Sequence, residues 1–184
     1  MLIGLGLWAA ATASGCVPAD RQIDVKSAAP VPMNRGRLAL APLEFVRFCM
    51  NYKSECKTER SNAVIELTPA VEATLQRVNN DVNRRIQSTT AMSPWRINPV
   101  SGNCNDYVVT KRHELTVLGL PASALLMAAA QTAEGEGHLV LIVRTNRGNL
   151  VLDNLTAGIQ PVERLRYTWL KRQSATDPRI WEVM

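Results

Sequence analysis

Cys104 follows Gly102 and Asn103 and opens a stretch, Cys104 to Leu118, that contains neither glycine nor proline. A thiol at the start of a helix has chemistry available to it. Unpaired N–H groups and the positive end of the dipole favour the thiolate, which is the nucleophilic form. The same donors can hold the oxyanion of a tetrahedral intermediate, and the glycine lets backbone approach a bound chain closely. What remains to be found is a base. The chain holds two histidines. His113 lies on the opposite face of the same helix, roughly 13 Å along its axis, and is out of reach of Cys104 while that helix is intact. It is expected to be an exposed helix histidine. His138 opens a β-rich run directly after Glu134-Gly135-Glu136-Gly137, and is the base that geometry leaves. Asp153 interrupts a second such run, Leu150-Val151-Leu152-Asp153-Asn154-Leu155. A carboxylate among apolar neighbours is costly unless paired, and a hydrogen bond from His138 would pair it and fix the useful tautomer. Register opposes the simplest version of that pair. A two-residue turn at Arg147-Gly148 puts Asp153 opposite residue 142, so the pair needs a bulge, a longer loop or strand twist. A metal centre joining Cys104 to the histidines is disfavoured, because no paired ligand spacing exists.

The elements that must position these residues carry their own signals. Thr68 caps a helix with Pro69 at its first position, and Val71, Leu75, Val78, Val82 and Ile86 recur at spacings of four and three as one apolar stripe. That stripe is expected to be core. Pro42 to Asn51 reads as a short helix, and Asn62 to Leu67 as a short strand or extended approach. Ser88 to Asn103, with Pro94, Trp95 and Pro99, reads as a loop delivering the chain to Cys104. Tyr107, Val108, Leu115 and Leu118 give the cysteine's helix an apolar face, and Gly119 with Pro121 stops it. Pro121 to Ala130 is an apolar run of strand or buried type. The runs from His138 and Asn149 form a hairpin around Asn146-Arg147-Gly148.

A chain of 184 residues with 46% hydrophobic and 20% charged content suits one soluble domain with a substantial core. The net charge of +5 is spread without a basic block, and Asn83-Arg84-Arg85 falls inside a helical pattern as a solvated face, so no nucleic-acid partner is expected. Residues 1–15 carry no charge and fit the apolar part of an export signal. Small residues at Ala11-Thr12-Ala13 suit cleavage after Ala13, while Ala13-Ser14-Gly15-Cys16 resembles a lipoprotein box that would lipidate Cys16; both remain open, and that lipid would be the only link to a membrane. Residues 16–41 read as an irregular arm and 42–184 as the functional domain. In an oxidising compartment Cys49 and Cys56 can close a short disulfide, worth about 2.5 kcal/mol on the chain-entropy estimate. Cys104 is then the odd thiol.

These residues resemble the bacterial transglutaminase-like cysteine peptidases, whose best-known members are periplasmic proteases that release biofilm adhesins. The resemblance rests on Phe48-Cys49 with Cys56, Trp95, Gly102-Asn103-Cys104-Asn105-Asp106-Tyr107, Leu118-Gly119-Leu120-Pro121, Gly137-His138-Leu139-Val140-Leu141, Leu150 to Leu155, and Tyr167 to Trp181, covering about residues 43 to 181. It implies an α+β, papain-like core with the cysteine's helix packed on an antiparallel β-sheet, and a triad of Cys104, His138 and Asp153. It also implies a periplasmic location and a protein or peptide substrate in the cell envelope. The chemistry needs no cofactor, but the adhesin-processing members bind calcium near the cysteine. Family members commonly flank the cysteine with acids, where this chain has Asn103 and Asn105, leaving Asp106 as the one candidate calcium ligand. Calcium favours several hard oxygen ligands, so the site is poorly supplied. The same triad could transfer an acyl group to an amine, as in a transglutaminase or amidase, and an inactive domain binding protein or cell-wall peptides would use the same groove.

Overall fold

The structure, a computed structural model, describes residues 37–59, 61–156 and 158–184; the apolar leader and Cys16 fall outside the described residues. Helices begin where the sequence supplies start signals. Helix α1 spans Leu43–Asn51 and turns Phe45 and Phe48 inward. Helix α2 spans Pro69–Arg85, with Pro69 in the first turn and the Thr68 hydroxyl accepting a hydrogen bond from the Val71 N–H. Of the stripe expected to be core, Leu75, Val78, Val82 and Ile86 are buried, and Val71 is partly buried against them. Helix α3 spans Cys104–Val117 and ends at Gly119, whose φ of 91° is left-handed backbone that glycine accepts without strain. It is not an amphipathic surface helix. Every residue from Cys104 to Arg112 is buried, Lys111 and Arg112 included, whereas Leu118 is half exposed.

The described residues also hold nine strands: β1 Leu38–Ala39, β2 Gln87–Ser88, β3 Ser101–Gly102, β4 Leu125–Gln131, β5 Gly137–Thr145, β6 Gly148–Leu152, β7 Gln160–Pro161, β8 Thr168–Gln173 and β9 Trp181–Val183. Seven of them form one sheet in the order β1-β9-β8-β4-β5-β6-β7, antiparallel throughout, and β2 pairs with β3 in a small parallel ribbon. Strand β1 lies within the stretch expected to be an irregular arm, where Leu38 and Ala39 extend the sheet edge against β9. Asn62 to Leu67 forms no strand; Ile65 makes a single bridge to Thr145.

Helix α3 packs against α2 and against β5. On its side of the sheet, Leu139, Leu141, Val143 and Leu152 join Cys104, Tyr107, Val108 and Leu115 in one core, with Phe45, Phe48, Trp95 and Trp181 closing it. Alternation sends Val140, Ile142 and Val151 to the other face, where Val162, Leu165, Tyr167 and Trp169 cover them. The expected α+β arrangement, a cysteine helix on an antiparallel sheet, is the one observed.

Candidate active site at the start of helix α3

Cys104 is the first residue of α3, and a capping box holds that start in place. Asn103, in extended backbone, is the N-cap; its side-chain oxygen accepts from the Asn105 N–H at 3.1 Å. Asp106 returns the favour, its Oδ2 accepting from the Asn103 N–H at 3.0 Å. Its Oδ1 accepts from the Arg96 N–H at 2.8 Å, tying the preceding loop to the helix. A Cβ at Gly102 would stand 2.6 Å from Asp106 Oδ2, so glycine makes room here for the cap carboxylate. The Asp106 N–H is also engaged, by the Asn103 carbonyl at 3.0 Å. The first turn therefore spends the N–H groups of Asn105 and Asp106 on its own cap, and its dipole is what it brings to bear on the thiol. Cys104 is buried, with Sγ 3.9 Å from Asn105 Oδ1.

His138 is the second residue of β5 and Asp153 follows the last residue of β6. His138 Nε2 lies 2.7 Å from Asp153 Oδ1, and both residues are buried. The register problem resolves through the turn. Thr145 pairs with Gly148 and Leu141 with Leu152, so Asn146-Arg147 make the two-residue turn and Gly148 takes a φ of 103°. Continuing that ladder puts Asp153 opposite Val140 and diagonal to His138 on the same face, a separation that longer side chains span. Asp153 makes further bonds: Oδ1 accepts from the Leu155 N–H at 3.0 Å and Oδ2 from the Tyr167 hydroxyl at 2.6 Å. Burial alone would raise the pKa of Asp153, but the hydrogen bond and charge of His138, with the Leu155 and Tyr167 bonds, outweigh it and hold the carboxyl below its usual range. The Tyr167 ring meets His138 edge to face at 5.7 Å between centroids, and Trp169 backs it at 5.9 Å.

Three further residues connect this pair to the helices. Asn83 donates from Nδ2 to the Asp153 carbonyl at 2.8 Å, so it is not part of a solvated basic face, although its neighbour Arg84 pairs with Asp81 on the surface and Arg85 pairs with Glu114 and Asn98. Lys111 is fully buried on α3 with Nζ 6.0 Å from the Tyr107 ring centroid; burial lowers its pKa to about 7, against the attraction of Asp153. His113 stands away from the pair, half-buried rather than exposed, with Nδ1 2.7 Å from Glu55 Oε1. At the far end of the helix Arg112 bonds the Leu125 carbonyl, on the rung where Leu125 faces Val143. Cys104, about 12 Å N-terminal along the helix, therefore lies away from the Val143 end of β5. Cys49 and Cys56 form a disulfide, and Glu55 beside it binds Arg112 as well as His113.

The residues around Cys104 are a poor fit to calcium. Both Asp106 oxygens are committed to backbone N–H groups, and the Asn103 side chain is used at both ends, its Nδ2 donating to the Ala91 carbonyl. Among the described residues no group of three or more His, Cys, Asp or Glu side chains is placed to hold a metal ion.

Comparison with known proteins supplies the family. The solved structures of Legionella pneumophila LapG resemble this one in fold. The calcium-bound form gives a TM-score of 0.54 at 20% identity, over 76% of this chain and 77% of that one. The EGTA-treated form gives 0.52 at 20% identity, over 77% of this chain and 76% of that one. No curated protein matches the chain in sequence. A family model does, over residues 35–184, which takes in every described element and the whole of this site: the chain belongs to the bacterial transglutaminase-like cysteine proteinases.

Proposed function

We propose that this cysteine proteinase hydrolyses a peptide bond in a protein of the cell envelope, with Cys104 as nucleophile, His138 as general base and acid, and Asp153 as the group that orients the histidine. The observation that carries this is the buried 2.7 Å bond between His138 Nε2 and Asp153 Oδ1, on a strand against which the cysteine's own helix packs. With Nε2 given to the carboxylate, Nδ1 is the nitrogen for the thiol. Alternation places His138 on the parity of Val140, so the imidazole would meet Cys104 around the end of the sheet rather than across its face. The thiol proton passes to Nδ1 as Sγ bonds to the scissile carbonyl carbon. The imidazolium returns that proton to the amine nitrogen as the C–N bond breaks, leaving a thioester. Water, deprotonated by His138, then cleaves the thioester and restores the thiol.

Export of the chain by its apolar leader, with cleavage after Ala13 or lipidation at Cys16, would bring it to such substrates and supply the oxidising setting that the Cys49–Cys56 disulfide needs. Calcium plays no part in the proposed step, given how Asp106 and Asn103 are used. The test compares new protein ends in the envelope of cells carrying the wild-type chain or Cys104→Ala. Ends present only with the wild type support peptidase activity and identify the substrate. Identical sets of ends, with the variant correctly exported and folded, contradict it.

A further inference from the structure

Asp153 has two carboxylate oxygens, and His138 accounts for only one of them. The other, Oδ2, accepts from the Tyr167 hydroxyl at 2.6 Å, and the tyrosine and His138 rings meet edge to face, with centroids 5.7 Å apart at 77°. Tyr167 thus touches both members of the pair from β8's approach, and its ring also packs on that of Trp169. We infer that Tyr167 is a positioning residue of the active site, a donor that keeps Asp153 ionised and aimed so that His138 presents its other nitrogen to Cys104. The inference rests on the triad proposed above and adds a fourth member to it.

The chemistry follows from the bond. A carboxylate with three donors, here His138, the Leu155 N–H and Tyr167, is fixed in rotation as well as charge. Removing the phenol oxygen leaves Oδ2 of a buried carboxylate without that donor. Asp153 is then freer to rotate and less able to hold the imidazole. The phenol is a dependable donor. Burial first, and then Asp153, push its pKa above the usual range, so it stays protonated wherever a thiol protease works. Trp169 also meets the ring, edge to face, at 5.9 Å between centroids.

The test is the rate at which a small alkylating agent labels Cys104 in full-length protein, followed by mass spectrometry of the cysteine peptide. Tyr167→Phe keeps the ring and loses the donor, and the half-exposed site leaves room for that change without loss of fold, which melting of the same samples verifies. At pH 6 the Phe variant should label about ten- to a hundredfold more slowly than wild type, the range for losing one hydrogen bond to a charged group. At pH 10, where an ordinary thiol with a pKa of about 8.5 is ionised regardless, the two should match. Tyr167→Gln returns a donor without the ring and should label faster than Tyr167→Phe, whereas a merely structural role predicts the reverse order. In an Asp153→Asn background, Tyr167→Phe should have no further effect. Labelling of Tyr167→Phe at the wild-type rate at pH 6, or full multiplication of the two effects in the double variant, overturns the inference. Wild-type labelling no faster than free cysteine would instead strike at the triad itself, so the two failures are distinguishable.

Discussion

Lys111 is the least comfortable residue in the core, and replacing it by methionine should make the protein more stable. The ammonium is fully buried and its Nζ has no hydrogen-bond partner among the described residues; only the attraction of Asp153 and a Tyr107 ring 6.0 Å away favour its charge. Burial brings its pKa from 10.5 to about 7. The sign follows from linkage. In the unfolded chain the lysine stays protonated up to about pH 10.5, while the folded one gives up its proton near 7. Below pH 7 both states are charged and the burial penalty is present in full; it is relieved as pH rises from 7 towards 10.5. The gap in pKa corresponds to at most about 5 kcal/mol at pH 6, about 3 at pH 8 and about 2 at pH 9. Methionine fills similar volume without a charge. Urea unfolding of wild type and Lys111→Met at pH 6, 8 and 9 should show the variant more stable by a margin that shrinks as pH rises. A variant no more stable at pH 6, or a margin that does not change with pH, would refute the reasoning. Because Lys111 places positive charge near Asp153, the stabilised variant should also be a slower peptidase, a trade between stability and function.

Breaking the cap should disturb the nucleophile before the fold. Asp106→Ala leaves two backbone N–H groups without partners, and a loss of about 2–4 kcal/mol in denaturant unfolding is expected together with reduced Cys104 labelling. Gly102→Ala, whose Cβ would stand 2.6 Å from the cap carboxylate, should lower activity through the same contact, and restoring part of it by Asp106→Ala in the same chain would show the coupling. Replacing Cys49 and Cys56 by serine should cost about 2.5 kcal/mol, measured by thermal unfolding. Since Glu55 beside the disulfide binds Arg112 and His113, that loss should loosen the C-terminal half of α3 first in hydrogen exchange. EGTA should change neither melting temperature nor Cys104 labelling, because the carboxylate nearest the cysteine is consumed by the helix cap.

Much of this architecture is visible in the residues, and the parts that are not have identifiable causes. The starts of α2 and α3 are legible because Thr68-Pro69 and Asn103 satisfy N–H groups locally, without help from distant chain. A two-residue turn at Arg147-Gly148 falls one residue late, since Gly148 suggests a turn residue but serves as the first residue of β6. That shift carries Asp153 from opposite residue 142 to opposite residue 140, within reach of His138, with no bulge in the β5–β6 ladder. Asp106 is a candidate calcium ligand only through the family resemblance, which places calcium near the cysteine. Its spacing of three from Asn103 is also that of a capping box, and that signal was available. The burial of Lys111 and Arg112 has no local signal; α3 from Cys104 to Arg112 is buried on all sides because the sheet, α2 and the disulfide turn enclose it. Tyr167 meets Asp153 through the sheet order β8-β4-β5-β6, which no short-range pattern encodes.

The central claim is that Cys104 is an activated thiol served by His138 and Asp153, and its reactivity across pH tests this most directly. Among the described residues it is the one free cysteine, so labelling at its peptide is unambiguous. Alkylation by a small reagent, followed from pH 5 to pH 9, should be faster than for free cysteine below pH 7 and should lose that advantage in His138→Ala. A wild-type rate that is no faster than free cysteine and simply follows ordinary thiol ionisation near pH 8.5 would contradict the account.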